Sequence, residues 1–402
     1  MKQGWEQIPL GELVKKEKFS IVDGPFGTQL NKKEYKDDGI PVIRIKNISP
    51  KGYFTSKDLV FISQEKFETI KRSAVYPGDI ILAKTGGTIG KMCLFPNEID
   101  VGLISSSCAR ISIDENVASI KYIMNYLRSN EGQDLIISSS GGSTRNSINL
   151  TPLKQLPIPV PSLKEQKRIV AKLDQCFESI DKARANVEKN LQNAKDLFES
   201  KLNEIFNREG DGLKIFSLGD LCEIIGGSQP PKDNFIYEPK EGYVRLIQVR
   251  DYRTDKFITY IPKESTKKFC SKNDIMIGRY GPPIFGIFSG LEGAYNVALM
   301  KAIPDEKIVL KDYFRWFLKN KKLHSFVEKS SARAAGQSGV RKELLYAYPV
   351  PVPEISVQKD IVELLNKLKN NSNILHSNYQ QELEALDELK KSILEKAFNG
   401  EL

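Results

Sequence analysis

The chain has 402 residues, enough for two domains of ordinary size plus connecting structure, and its 60 Lys and Arg against 51 Asp and Glu give a net charge of +9. No run of eighteen apolar residues and no charged-then-apolar N-terminal leader is present, so the expectation is a cytoplasmic protein with no membrane partner. Five widely spaced cysteines without a C-x-x-C pair exclude a disulfide framework and a zinc site, and with only His324 and His376 histidine-based catalysis has almost no raw material.

Taken in chain order, residues 1–155 mix short β-type runs such as "IPVIRIKNI" (Ile40–Ile48) with Gly-rich turns and helix-like stretches such as "YIMNYLRS". This pattern predicts an α+β globule. Its "TGGTIGKM" lacks the first glycine and the terminal Ser or Thr of a P-loop, which excludes nucleotide binding there. The same glycines, with Lys84, Thr85, Thr88 and Lys91, suit a close approach to phosphates through backbone N–H groups and lysines. Lys32, Lys33, Arg44, Lys46, Asn47, Arg145 and Asn146 carry the donors and acceptors that read base edges or hold phosphates.

Residues 156–207 open with "LPIPVPSLKEQKRIVAKLD", which is written again as "YPVPVPEISVQKDIVELLN" from Tyr348, 192 positions later. Alternate prolines forbid a continuing helix or a central strand, and Ser162-x-x-Glu165 has the spacing of a helix-capping box. A ladder of 4-3 steps then picks out Ile169, Leu173, Cys176, Ile180, Ala183, Val187, Asn190, Ala194 and Leu197. Such a repeat needs a partner helix.

Residues 208–347 form a second α+β block in which "NDIMIGRYGPPIFG" resembles the "GDIILAKTGGTIGK" of the first. Its candidate DNA contacts are Gln229, Lys232, Arg245, Gln248, Arg250, Arg253, Arg279, Tyr280, Arg333, Gln337 and Arg341. Residues 348–402 repeat the helix, with the ladder Ile361, Leu365, Leu368, Ser372, Leu375, Tyr379, Glu382, Leu386, Leu389 and Ile393. Asn190 and Glu382 fall on the same rung, where a buried polar residue would fix register. At about 1.5 Å per residue each helix spans roughly 60 Å, and the simplest pairing is antiparallel, one helix carrying the chain out and the other returning it in a nearly circular, pseudo-two-fold arrangement.

Charge follows the same division. Lys and Arg outnumber Asp and Glu by 21 to 17 in residues 1–155 and by 24 to 17 in 208–347, against 9 to 8 and 6 to 9 in the two helical stretches. The excess therefore lies in the blocks, where it suits a polyanion. No catalytic centre is legible. "GPPIF" has glycine where an amino-methyltransferase needs Asn or Asp, and Pro304-Asp305 has no Glu-x-Lys at useful range.

"DGPFGTQL" with "GIPVIRIKNI", a P-x-P-x-P phrase running into "EQKRIV" or "VQKDIV" at the close of each block, and half-repeats joined by long helices resemble the specificity subunit of a type I restriction-modification system. The resemblance covers the whole chain. The second block departs from it, with "IIGGSQPPKD" (Ile224–Asp233) in place of "DGPFGTQL". What the resemblance implies is two target recognition domains, each binding one half of an asymmetric bipartite site in double-stranded DNA, with the antiparallel helices as the ruler between them. It also implies no catalysis and no cofactor in this chain, two methyltransferase subunits that dock near the proline phrases and bring S-adenosylmethionine, and motor-nuclease restriction subunits. The same two-headed geometry would also suit a stand-alone DNA-binding regulator.

Overall fold

The computed structural model describes residues 4–140, 147–208, 210, 212–280, 284–331 and 339–402, and the chain divides into two compact units, 1–187 with 381–402, and 188–380. The long helices are thus shared between units rather than standing apart from the blocks.

The first unit contains, in chain order, β1 (Glu6–Pro9), β2 (Ile21–Asp23), β3 (Ile40–Ile43), β4 (Val60–Ile62), α1 (Gln64–Ile70), β5 (Ala74–Val75), β6 (Ile80–Ala83), β7 (Met92–Leu94), β8 (Gly102–Ile104), β9 (Cys108–Ile111), α2 (Ile120–Arg128), α3 (Asn130–Ser138), α4 (Leu150–Lys154), β10 (Pro157–Val160) and the first part of α5 (Leu163–Phe206). Four-stranded sheets run β2-β9-β6-β7 and β4-β3-β8-β5, and β1 pairs with β10 in a two-stranded ribbon. Strand β6 shows why "IILA" is apolar throughout. Ile80 and Leu82 join the helical core with Tyr122 and Tyr126, while Ile81 and Ala83 face Ile43, Phe95 and Ile104 between the two sheets.

The proline phrase is itself a strand. Pro157 to Val160 lie antiparallel to Pro9 to Glu6, and the alternate prolines place every missing N–H on one edge, which a two-stranded ribbon tolerates. Helix α2 locks onto it, since the Tyr122 hydroxyl donates to the Pro159 carbonyl at 2.7 Å.

The second unit holds the rest of α5, β11 (Lys214–Ser217), α6 (Leu218–Leu221), β12 (Cys222–Gly226), β13 (Tyr243–Ile247), β14 (Tyr260–Pro262), β15 (Phe269–Cys270), β16 (Ile275–Gly278), β17 (Ile287–Phe288), β18 (Gly293–Tyr295), β19 (Leu299–Pro304), α7 (Lys311–Phe317), α8 (Lys321–Ser331), α9 (Lys342–Tyr346), β20 (Pro349–Val352) and the first part of α10 (Ile355–Phe398). Its sheets run β12-β19-β16-β17 and β14-β13-β18-β15, with ribbon β11-β20. That order matches the first unit strand for strand, down to the one parallel pairing in each, β3 with β8 and β13 with β18. The diverged "IIGGSQPPKD" therefore sits on the same scaffold as "DGPFGTQL".

Within each unit the helix segments pair antiparallel. In the first, Arg168 donates to the Leu402 carbonyl and Arg184 to the Asp387 carboxylate, so residue number rises on one helix as it falls on the other. In the second, Lys369 lies 5.2 Å from the Phe198 ring while Leu202 and Phe206 share an apolar cluster with Leu365 and Ile361. Ile169, Leu173, Ile180 and Val187 are buried, as is Leu365, and Ile361, Leu368 and Leu386 are half-buried.

The strict heptad fails half-way along. Asn190 and Glu382 are exposed, and Leu191 and Leu383 occupy the rung instead; Leu197 and Leu389 are likewise exposed, with Phe198 and Lys390 in their place, and Leu375 is 41% exposed. A straight α-helix drifts about 20° per heptad from a 3.5 repeat, so over 44 residues the buried stripe steps one position around the helix. Both copies take that step at the same rung, and the polar register lock expected there does not form. Four free thiols, Cys93, Cys108, Cys222 and Cys270, are buried, and Cys176 on α5 is half-buried.

Candidate nucleic-acid interface

Three loops of the first unit carry the candidate residues, and specific bonds tie them together. Asp23 closes β2 and pairs with Lys84, which follows β6, at 3.1 Å; Arg72 approaches the same carboxylate at 3.5 Å. Gly24 follows, and it has to be glycine: a Cβ there would sit 2.1 Å from the Ser105 backbone. Past it, Phe26 stands 59% exposed and Lys32 and Lys33 are exposed on a three-ten turn capped reciprocally by Asn31 and Glu34. Arg44 follows β3, stacks its guanidinium 5.9 Å from the Tyr35 ring, and donates to the Asp58 carbonyl, while Lys46 reaches the Asp58 carboxylate at 3.4 Å. Asp58 holds a left-handed φ of 56°, a strained conformation for a non-glycine residue.

The second unit repeats this scaffold with different side chains. Gly227 takes the place of Gly24, its missing Cβ leaving room for the Asn296 carbonyl. Gln248 takes the place of Arg44, each preceding a three-ten turn and receiving a side-chain cap three residues on, from Asp251 and Asn47 respectively. Arg279 takes the place of Lys84. The Lys84 N–H bonds the Ser107 carbonyl and its own carbonyl accepts from Ile148, and Arg279 does the same with Ala298 and Val340. Arg279 also stacks 5.0 Å from Tyr280, the counterpart of Thr85. Exposed carboxylates recur as well, since the Asp255 carboxylate holds Arg245 at 2.9 Å much as that of Asp58 holds Lys46. Burial pushes the Asp251 carboxyl up, against the Gln248 N–H and the arginines 245 and 250 that pull it down.

Of the residues expected to touch DNA, Lys32, Lys33, Lys46, Lys91, Gln229, Lys232, Arg250, Arg253 and Arg341 are exposed, and Arg44, Lys84, Thr85, Arg245, Gln248, Arg279 and Tyr280 are half-buried at the roots of the loops. Arg145, Asn146, Arg333 and Gln337 lie outside the described residues. Asn47 is a correction: it is fully buried, its amide donates to the Thr55 and Lys57 carbonyls at 3.1 Å, and its oxygen accepts from the Arg44 N–H at 3.0 Å. Asn47→Ala is expected to lower stability by about 2–4 kcal/mol through these orphaned groups and to leave base preference alone. Denaturant midpoints together with binding to mismatched duplexes check this, and an unchanged midpoint with altered base preference would count against it. Cations and amides alone do not mark Asp58 and Asp255, although carboxylates also accept from cytosine amino groups. Among the described residues no group of His, Cys, Asp or Glu could hold a metal ion, and no helix is long and apolar enough to cross a membrane.

The type I restriction modification DNA specificity domain matches this chain twice, over residues 2–190 and 210–385. The chain belongs to that family. This specificity subunit recognises DNA sequence through two target recognition domains and is the non-catalytic component of its system. It is similar along its whole length to the StySPI specificity subunit of Salmonella potsdam, 23% identical and covering 89% of that protein. Over 91% of its length it is similar to the EcoKI specificity subunit of Escherichia coli K12, 24% identical and covering 83% of it. Among solved structures, the HsdS subunit from Thermoanaerobacter tengcongensis superposes with a TM-score of 0.60 at 20% identity, covering all of this chain and 98% of that one. A chain from a study of type I complex assembly and conformational transition superposes at 0.78 and 21%, covering all of this chain and 99% of that one. At such identities these likenesses establish the fold.

Proposed function

We propose that each recognition domain of this specificity subunit reads one half of a bipartite double-stranded DNA site, that the half-sites differ, and that the paired helices set the gap. The observation carrying this is the matched scaffold with unmatched side chains: Arg44 against Gln248, Lys84 against Arg279, Thr85 against Tyr280. Arginine pairs its fork with guanine and glutamine with adenine, so one loop frame carrying these residues favours different bases in each block. Lys32, Lys33, Lys46, Lys91 and Lys232 supply the phosphate contacts that set register. Two methyltransferase subunits dock near the proline strands and long helices, bringing S-adenosylmethionine and the adenine chemistry, and motor-nuclease subunits complete the cytoplasmic assembly. A map of methylated adenines in the host genome with and without this gene tests the reading. Disappearance of one asymmetric bipartite motif on deletion is the expected result; an unchanged map in a host shown to express the partners would overturn it.

A further inference from the structure

We propose that Gln166 and Gln358 are positioning residues that lock the direction in which each long helix leaves its recognition domain, and so determine which gap between half-sites is accepted. The inference rests on the bipartite reading above and adds a second determinant to helix length.

Both glutamines are fully buried, and they are the same residue of the repeated phrase, 192 positions apart. Gln166 lies in the first turn of α5. Its side-chain oxygen accepts from the Ser119 N–H, immediately before α2, at 2.8 Å, and its amide donates at 2.9 Å to the carbonyl of Pro161, the residue that follows β10. Gln358, in the first turn of α10, accepts from the Leu310 N–H, immediately before α7, at 2.8 Å and donates to the Pro353 carbonyl at 2.9 Å and the Ile308 carbonyl at 3.0 Å. One planar amide therefore ties the exit strand, a helix of the domain core and the long helix together, twice over.

Few side chains can do this. The site needs an acceptor and a donor on one group at this reach; ionised glutamate loses the donor, leucine loses both, and asparagine is a methylene short. A buried polar side chain is costly unless its partners are all present, and here they are. Direction matters because of leverage. Over 44 residues, at about 1.5 Å each, a tilt of roughly 10° in the first turn carries the last turn sideways by about 11 Å, and a sideways shift is what a changed gap demands, since each added base pair turns the second half-site by about 35° around the duplex. Packing of Ile169 and Leu173 fixes that the helix docks; the paired hydrogen bonds fix at what angle.

The test uses the specificity subunit assembled with its methyltransferase subunits, on duplexes that keep both half-sites and carry the native gap, one base pair more, or one fewer. Q166L and Q358L are each expected to lower the preference for the native gap by about tenfold, the weight of one lost base-pair contact, while penalties for mismatches inside either half-site stay as in wild type. A leucine variant with a wild-type melting profile and full gap preference overturns the proposal. Should the leucine variants not fold, Q166M and Q358M serve instead, because methionine keeps the reach of the side chain and loses both hydrogen bonds. A methionine variant that folds and keeps full gap preference overturns the clamp. Loss of half-site preference in wild type would strike the bipartite reading and not the clamp.

Discussion

Replacing residues 218–347 with the corresponding block of another specificity subunit is expected to change one half of the methylated motif and leave the other half and the gap untouched. The ribbons explain why the graft should fold. Ser217 stands opposite Pro349, and the Leu218 N–H bonds the Tyr348 carbonyl at 2.9 Å, so the chain enters and leaves the block side by side. A cassette whose ends adjoin can be exchanged without moving its surroundings. Each base pair the new block reads differently shifts affinity by about 1–3 kcal/mol, so the old half-site should be rejected by orders of magnitude. Sequencing of modified adenines checks this. A change in both half-sites would mean that the two domains do not read independently.

Inserting seven residues after Val187 and seven after Tyr379 is expected to lengthen the gap by about three base pairs and preserve both half-sites. Seven residues add about 10.5 Å of helix against about 3.4 Å per base pair. The insertion points matter. Val187 and Tyr379 are equivalent positions just before the buried stripe moves to Leu191 and Leu383, so both helices receive the insert in the same phase. One heptad rotates the stripe by only about 20°, which the pairing absorbs, whereas an insert in one helix alone shifts every later contact and should prevent assembly. A changed half-site with an unchanged gap would sink the ruler.

Much of this architecture is legible in the sequence because duplication writes it twice. The repeated proline phrase, the helix after it and the α+β character of the blocks follow from proline chemistry and periodicity. The β1-β10 and β11-β20 ribbons do not, since alternate prolines read as a break until a partner strand is seen. Heptad counting places Asn190 and Glu382 in the seam, because a fixed 3.5 period carries no drift and the helix does. Residue type likewise marked Asn47 as a base reader, and nothing in its neighbours' identity signals that its amide is spent on Thr55 and Lys57. The equivalence of Arg44 with Gln248 is invisible in one dimension, because the loops between matched strands differ in length.

The buried thiols give each unit its own built-in reporter. Cys93 and Cys108 lie in the first unit and Cys222 and Cys270 in the second, and burial pushes their thiols up to about 12, 12, 12 and 11, so thiolate is scarce while the fold is closed. Half-buried Cys176 is the thiol an alkylating reagent should reach first. Pulse labelling followed by peptide mass analysis can therefore time the opening of the two halves separately, without an introduced probe.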